Sequence, residues 1–426
     1  MLDPQYIRDN LDSVKESVAA KQKEISLVDT FLSLDEKWKT LLLEIEDLRK
    51  QKNEAAKNKD VELGRKVKES LSIKEPEFAK IEAEWKQSLW AIPNIAAPSV
   101  KVGKDENENV PVRSWGKIPK FDFYPKDHIA LGEQLGIIDV ETAAKVSGAR
   151  YSYLKGDGAL LEFALIQFAM SVLTNTETIS KIAKEAGINV SSKPFTPVIP
   201  PVMIRPEVFE RMARLHPTEE RYHIPSDDMY LVGSAEHTLG ALHLDELLPE
   251  KVFPIRYVGF STSFRREAGS YGKDTRGILR VHQFDKIEIE SFSTPETGMA
   301  EQDLIVAIQE YLMKELGLPY QVVAICTGDM GGPDFRQFDI ETWIPSQGKY
   351  RETHTSDYNT DYQSRRLNTR IRRTTNENQF AHMNDATVFA IGRTLIAIIE
   401  NNQQKDGSIT IPSVLQKWMG KEKIEK

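Results

Sequence analysis

Between Leu27 and Ile92 the apolar residues fall on a heptad seam. Phe31, Leu34, Trp38, Leu41, Ile45 and Leu48 alternate steps of three and four, and Ala55 keeps the register. The seam breaks near Gly64 and resumes as Val67, Leu71, Phe78, Ile81, Trp85 and Ile92. This pattern predicts two long antiparallel helices joined at the glycine. Each limb has about 30 residues, so the hairpin should reach on the order of 45 Å at 1.5 Å per residue. Pro93 stops the second helix, and Pro98, Gly103 and Pro111 mark a linker. From Phe195 onward short alternating runs take over: Tyr257–Phe264, Leu279–Phe292, Val322–Cys326 and Phe338–Ile344. Turns and hairpins separate them rather than crossover helices, so a largely antiparallel sheet is expected. Helices are expected around Ala159–Val172 and, closing the domain, Ala386–Glu400.

With 426 residues, 40% hydrophobic and 28% charged, the chain has the size and composition of a globular protein of two or three domains. The expected division is 1–110, carrying the hairpin, and 111–426. The first residues include acids and lack the apolar run of a signal peptide. No stretch approaches the roughly 18 successive apolar residues of a membrane helix. One cysteine, Cys326, cannot form an internal disulfide, and with eight scattered histidines it offers no zinc spacing. A cytoplasmic location, no membrane and no zinc are therefore expected.

The formal net charge of −8 argues against simple coating of nucleic acid. The turn of the hairpin differs from the rest. Arg49, Lys50, Lys52, Lys57, Lys59, Arg65, Lys66 and Lys68 set eight cations against three acids over residues 49–68. Such a tip is either a solvated helix end or a basic finger that tracks a phosphate backbone.

The richest chemistry lies in GFSTSFRREAGSYGKDTRGILRVHQFDKIEIESF, residues 259–292. Strand alternation puts Arg265 and Glu267 on one face, and Phe284, Lys286 and Glu288 together opposite Ile287 and Ile289. The loop between adds Lys273, Arg276 and Arg280. Cations for a phosphate, carboxylates for an amine or metal and a ring for a base suit nucleotide activation. An ordinary half-exposed charged strand would show the same residues. No P-loop or G-x-G-x-x-G string is present.

The string F-R-x-E, loop, R-V-H-Q-F-x-K-I-E resembles motif 2 of class II aminoacyl-tRNA synthetases in its seryl form. PVIPPVMIRPEVF at 197–209 resembles motif 1, and IGRTLIAIIENNQQKDGSITIPSVL at 391–415 resembles motif 3 and the family's C-terminal ending. IPNIAAPSVKVGKDENENVPVRSWG, LGEQLGIIDVETAAKVSGARYSYLKGDGALLEFALIQF and TGDMGGPDFRQFDIETWIPSQGKYRETHTSDYNTDYQSRR are similar to the family's intervening segments, in the right order. The resemblance to bacterial-type seryl-tRNA synthetases is nearly end to end, with a variant motif 3.

It implies an α+β fold, an antiparallel sheet flanked by helices with an N-terminal two-helix coiled-coil arm. It also implies an ATP-dependent ligase that activates L-serine and transfers it to the 3′ end of tRNA(Ser). Carried over by matching position, Arg265, Glu267 and Arg393 are the catalytic residues. Arg265 contacts the α-phosphate and the serine carboxylate, and Arg393 the γ-phosphate. The ATP set is Arg265, Arg266, Glu267, Val281, Phe284, Glu352, Thr353, His354, Thr355 and Arg393, with Phe284 stacked on adenine. Glu352 and Thr355 serve ATP and its Mg²⁺, an oxygen-ligated cation. Ser234, Ala235, Glu236, Arg265, Glu288, Asp385 and Thr387 form the serine set. Thr387 matches the hydroxyl that bonds the substrate's own, which makes alanine a poor substrate.

The resemblance further implies a homodimer in which the arm of one subunit guides the tRNA's long variable arm to the other's site. Whether a tRNA(Sec) is also charged is left open. Some positions depart from the family. Ser234 stands for the threonine of a T-A-E turn. HMNDATVFA at 382–390 puts Asp385 at an asparagine position, where an acid either favours the serine ammonium or caps the helix. His354, on the strand YRETHT, reads as an outward-facing residue. Two alternatives compete with the ligase reading: a non-catalytic RNA-binding paralogue, and a ligase loading an amino acid onto a carrier protein. Arg265, Glu267, Glu352 and Arg393 are intact, which disfavours the first, and the long arm disfavours the second.

Overall fold

The computed structural model describes residues 1–268 and 276–426, so Lys273 lies outside the described residues. The hairpin consists of α1 (Ser26–Asn58) and α2 (Val61–Ala91). The chain does not turn at Gly64. Lys59 takes a left-handed conformation (φ 55°), and Asp60 caps α2 by accepting from the Leu63 amide at 3.0 Å. Gly64 is thereby absorbed into the first turn of α2. Ile45, Ala55, Val67 and Leu71 are buried along the seam, and Trp38 stacks on Trp85 with centroids 4.8 Å apart. All eight basic residues of the tip are exposed. At the base, Phe31, Leu89 and Ile92 pack with Ile7, Val14 and Val18 of two short N-terminal helices and with Tyr362.

The remainder is built on one eight-stranded sheet. Its strands are β1 (Val110–Trp115), β2 (Thr196–Val198), β3 (Ile255–Phe264), β4 (Gln283–Ser293), β5 (Tyr320–Ala324), β6 (Arg336–Ile344), β7 (Lys349–Thr360) and β8 (His382–Ala390). They lie in the order β1-β5-β6-β7-β8-β4-β3-β2, antiparallel throughout except for the short β2 beside β3. One face is covered by α3 (Asp157–Leu173), α4 (Gly298–Glu315) and α5 (Ile391–Asn401). Ile287, Ile289, Val388 and Phe389 meet Leu304, Ile308, Leu395 and Ile398 there, all fully buried. Gln309 of α4 donates to the carbonyls of Thr355 and Thr387 at 2.9 and 2.7 Å, which ties that helix to β7 and β8.

The expected helix over Ala386–Glu400 is half strand: β8 runs to Ala390 before α5 begins. The run is apolar throughout because β8 is central and buried on both faces, and periodicity cannot separate that case from a buried helix. Asp385 consequently sits in mid-strand, paired with Glu290 and Asp357, and caps nothing.

Two irregularities aim the open face of the sheet. Thr353 is unopposed between the Ile340–His354 and Glu341–Glu352 pairs, and Val388 is unopposed between Ile287–Phe389 and Glu288–Thr387. The first lets Glu352 and Thr355, three residues apart, face the same side.

Candidate active site

A cavity of about 340 Å³ opens on the helix-free face of the sheet. At one end Arg265, just beyond β3, lies over the Phe284 ring at 5.4 Å and donates from Nε to the Gly233 carbonyl at 3.1 Å. Glu267 accepts from Arg280 Nη1 at 2.6 Å, and Ile278, Leu279 and Val281 form an apolar wall. Arg393, in the first turn of α5, pairs with Glu352 Oε1 at 3.0 Å and donates to the Glu352 carbonyl at 2.9 Å. Its neighbour Gly392 is required by space, since a Cβ there would stand 2.9 Å from the Ile278 carbonyl oxygen. Arginines, an aromatic face and a helix N-terminus converge here, a setting for a polyphosphate joined to a flat base.

The other end is acidic. Glu236 and Thr387 line it with Arg214, Lys286, Asp334 and Asp357. Beneath them the buried Glu288 forms an ion pair with Lys286 and accepts from Ser234 Oγ at 2.7 Å and Thr387 Oγ1 at 3.4 Å. Its second oxygen has no hydrogen-bond partner. Burial pushes the Glu288 carboxyl up from its ordinary range, and burial with neighbouring acids pushes Asp357, Asp385 and Glu290 up strongly. Glu236 is the exception. Burial opposes its charge, but Arg214 and His237 hold it well below the usual carboxylate range. In all, five cations and seven carboxylates line the cavity, and burial holds two of the carboxyls, Asp339 and Asp357, toward the neutral form.

Of the expected residues, Arg265, Glu267, Val281, Phe284, Glu352, Thr353, Thr355, Arg393, Glu236 and Thr387 all line this one cavity. Ser234, Ala235, Glu288 and Asp385 are buried and do not form its wall. Arg266 is exposed beside Tyr222, 5.8 Å above its ring, and is also off the wall.

His354 departs furthest from expectation. It is fully buried on the helix-covered side, edge-on to Phe389 at 5.7 Å, with Nδ1 2.8 Å from Thr353 Oγ1. Burial lowers its pKa to about 3, so it is a neutral core residue, neither outward-facing nor within reach of the cavity. The expectation failed because the side of β7 turned away from the cavity is covered by helices.

Sequence reasoning passed over Arg214, Asp334, Asp339, Gln337 and Asp357, and gave Lys286 no role. Asp339 and Asp357 could have been found as acids on otherwise buried strands. Arg214 lies in a loop with no periodic signal.

Residues 219–402 match the family of the tRNA synthetase class II core domain (G, H, P, S and T), the class that the antiparallel sheet and its cavity define. Residues 1–96 match the seryl-tRNA synthetase N-terminal domain. The chain is 39% identical to the serine–tRNA ligase of Pyrococcus horikoshii, over 100% of its own length and 97% of the relative's. It is also 39% identical to that of Petrotoga mobilis, over the whole of both chains. The crystal structure of the Pyrococcus horikoshii seryl-tRNA synthetase complexed with ATP superposes with a TM-score of 0.88, covering 100% of this chain and 99% of that one. The cytoplasmic serine–tRNA ligase of Naegleria fowleri, in complex with AMP, gives 0.84 at 30% identity, covering 99% and 97%. The chain belongs to the seryl-tRNA synthetase family.

Proposed function

We propose that this serine–tRNA ligase uses the basic, aromatic end of its cavity for ATP and the acidic end for serine. The observation that carries the proposal is the convergence of Arg265, Phe284 and Arg393 with the Glu236–Thr387 end in one cavity. Phe284 stacks the adenine, Arg265 holds the α-phosphate and Arg393 the γ-phosphate. Glu236 receives the serine ammonium. Thr387 and the buried Glu288 beneath it read the hydroxyl. One serine carboxylate oxygen attacks the α-phosphorus, and the bond to the pyrophosphate oxygen breaks as pyrophosphate leaves. Arg265 stabilises the charge that develops in line. The 3′-terminal ribose hydroxyl of the tRNA then attacks the seryl carbonyl, and AMP departs.

The residues present also suit Mg²⁺ carried with ATP. Asp339, whose carboxyl is pushed up strongly by burial and then by Glu352, stands beside Thr355, which donates to it at 2.7 Å. Among the described residues no group of three or more His, Cys, Asp or Glu is arranged to hold a metal unaided. A cation held by Glu352 and Asp339 with the phosphates would fit that pattern, since Mg²⁺ is commonly bound by one or two carboxylates plus phosphate oxygens. When bound, it supplies charge neutralisation at the phosphates.

Residues 1–110 form the tRNA-binding domain in this reading, with Arg49, Lys50, Lys52, Lys57, Lys59, Arg65, Lys66 and Lys68 tracking the tRNA backbone. The protein works as a cytoplasmic homodimer on tRNA(Ser). No single helix among the described residues is long and apolar enough to cross a membrane.

ATP–pyrophosphate exchange without tRNA tests the proposal, with serine run beside threonine, alanine and glycine. Exchange with serine alone is expected. Absence of exchange with every amino acid, from folded protein supplied with Mg²⁺, would sink it.

A further inference from the structure

More carboxylates surround the acidic end than one ammonium needs, and they converge on a single side chain. Arg214 comes directly after Ala213, whose backbone is left-handed at φ 58°. The Arg214 carbonyl is gripped by Arg221, which donates to it from Nη2 at 2.7 Å and Nε at 3.1 Å. Its guanidinium then meets acids from four separate pieces of the fold. Nε is 3.0 Å from Glu236 Oε1, while Nη2 is 3.1 Å from Asp385, 3.6 Å from Asp357 and 3.9 Å from Asp334. Asn359 donates to the other oxygen of Asp385 at 2.5 Å. His237 Nε2 stands 3.5 Å from Glu236 Oε1, and the Gly233 amide donates to His237 Nδ1 at 3.1 Å, so Nε2 carries the ring proton. Glu290 shares the layer with neither oxygen hydrogen-bonded.

Sheet register accounts for the crowding. Glu290, Asp385 and Asp357 lie directly opposite one another across β4, β8 and β7. Acids so placed repel when ionised, which adds to burial in pushing their carboxyls up, and Arg214 is the cation set against Asp385 and Asp357 of the row. One guanidinium therefore lies against Glu236 and against the acid row together.

We infer that Arg214 is a positioning residue for amino-acid recognition: it orients Glu236 and offsets the Asp334, Asp357 and Asp385 layer, so that the site presents one acceptor to one substrate ammonium. The inference rests on the assignment of this end of the cavity to serine. Removing the cation alone leaves the acids mutually repelling and Glu236 without its guide. Removing Asp385 alone leaves Arg214 less neutralised and less hospitable to an ammonium. Removing both restores the charge balance.

The test is pyrophosphate exchange by the full-length protein, with separate KM values for serine and ATP, in wild type, Arg214→Gln, Asp385→Asn and the double variant. Arg214→Gln should raise the KM for serine about tenfold or more and leave that for ATP within about twofold. Asp385→Asn should raise the serine KM about threefold, and the double variant should fall below Arg214→Gln by about threefold. A double variant no better than Arg214→Gln, or an Arg214→Gln equal to wild type, overturns the positioning role. A raised KM for ATP with that for serine unchanged overturns the assignment of the acidic end as well, which separates the two failures. Thermal unfolding accompanies each assay. If Arg214→Gln does not fold, Asp385→Asn alone decides, and equal serine KM values for it and wild type overturn the inference.

Discussion

In the two-helix arm every buried residue is apolar except Asp35, and that one is matched. It accepts from Arg8 Nη2 and Nε at 2.6 and 2.8 Å and from Trp85 Nε1 at 3.0 Å. The open face of the catalytic sheet is the reverse. It buries Glu288, Glu290, Asp357 and Asp385 and leaves both Glu290 oxygens and one Glu288 oxygen without hydrogen-bond partners. In the arm Asp35 is met by Arg8 of an N-terminal helix and by Trp85 of the facing limb, and among the described residues Trp38 Nε1 is its one buried side-chain polar atom without a hydrogen-bond partner. The sheet face keeps buried carboxyl oxygens without hydrogen-bond partners, at a cost of order 1–3 kcal/mol for each unpaired group. Buried groups left unpaired in this way cluster at functional sites. The arm is thus a lever packed along an apolar seam, and the sheet face is a layer of acids with unpaired oxygens.

Four experiments break or sharpen this contrast. The largest effect should come from deleting Leu34–Leu89: seryl-tRNA formation should vanish while serine-dependent pyrophosphate exchange survives within about twofold. Equal loss of both would show that lever and site are not separable. Next, Arg265→Gln should reduce kcat/KM for exchange by about 10²–10³-fold without lowering the unfolding temperature, because it removes a charge-stabilising donor at the cavity wall. A parallel loss of stability would instead mark Arg265 as structural.

Third, Phe389→Ala, in the core behind the site, should cost about 3–5 kcal/mol in urea unfolding. Ile45→Ala in the arm should fray the tip and leave exchange intact, so the two substitutions should separate cleanly by activity.

The smallest effect concerns pH. His354 and His237 are pushed down to about 3 and about 4 by burial. Their folded pKa values lie below the unfolded value near 6.5, so the unfolded chain binds the extra protons. Each contribution is complete above pH 6.5 and is lost as pH falls toward the folded value, about 2 kcal/mol by pH 5 for each. His354→Gln should flatten that dependence, with urea midpoints at pH 7 and pH 5 as the measurement. An unchanged slope would mean that the ring is protonated in the native state.

Legibility differed between the two regions for the same reason that their energetics differ. The arm could be read almost residue by residue, because Phe31 to Ile92 repeat at helical spacing and their partners repeat likewise. The error at Gly64 was local: glycine's permissiveness suggested the turn, but Lys59 and the Asp60 cap made it. In the catalytic part, strands such as Tyr257–Phe264 and Phe338–Ile344 were legible from alternation. Strand β8 was not, since burial on both sides erases alternation, and the helix cover over one side of β7 leaves no mark in its polar sequence. Such cover misplaced His354, turned half of β8 into helix and offered a helix cap as one of two roles for Asp385.

By itself, the sequence determined the helical hairpin, the antiparallel character of the sheet, the basic tip and the motif residues that line the cavity. Each of these rests on periodicity, composition or short-range spacing, all of which a single chain displays directly. Tertiary structure alone decided that Glu290, Asp385 and Asp357 stand in one row and that the unopposed Thr353 turns Glu352 and Thr355 to the same side. It alone decided that Arg214 reaches across four elements to bind the acids together. Those outcomes depend on strand register and on contacts between residues far apart in the chain, and no local pattern carries that information.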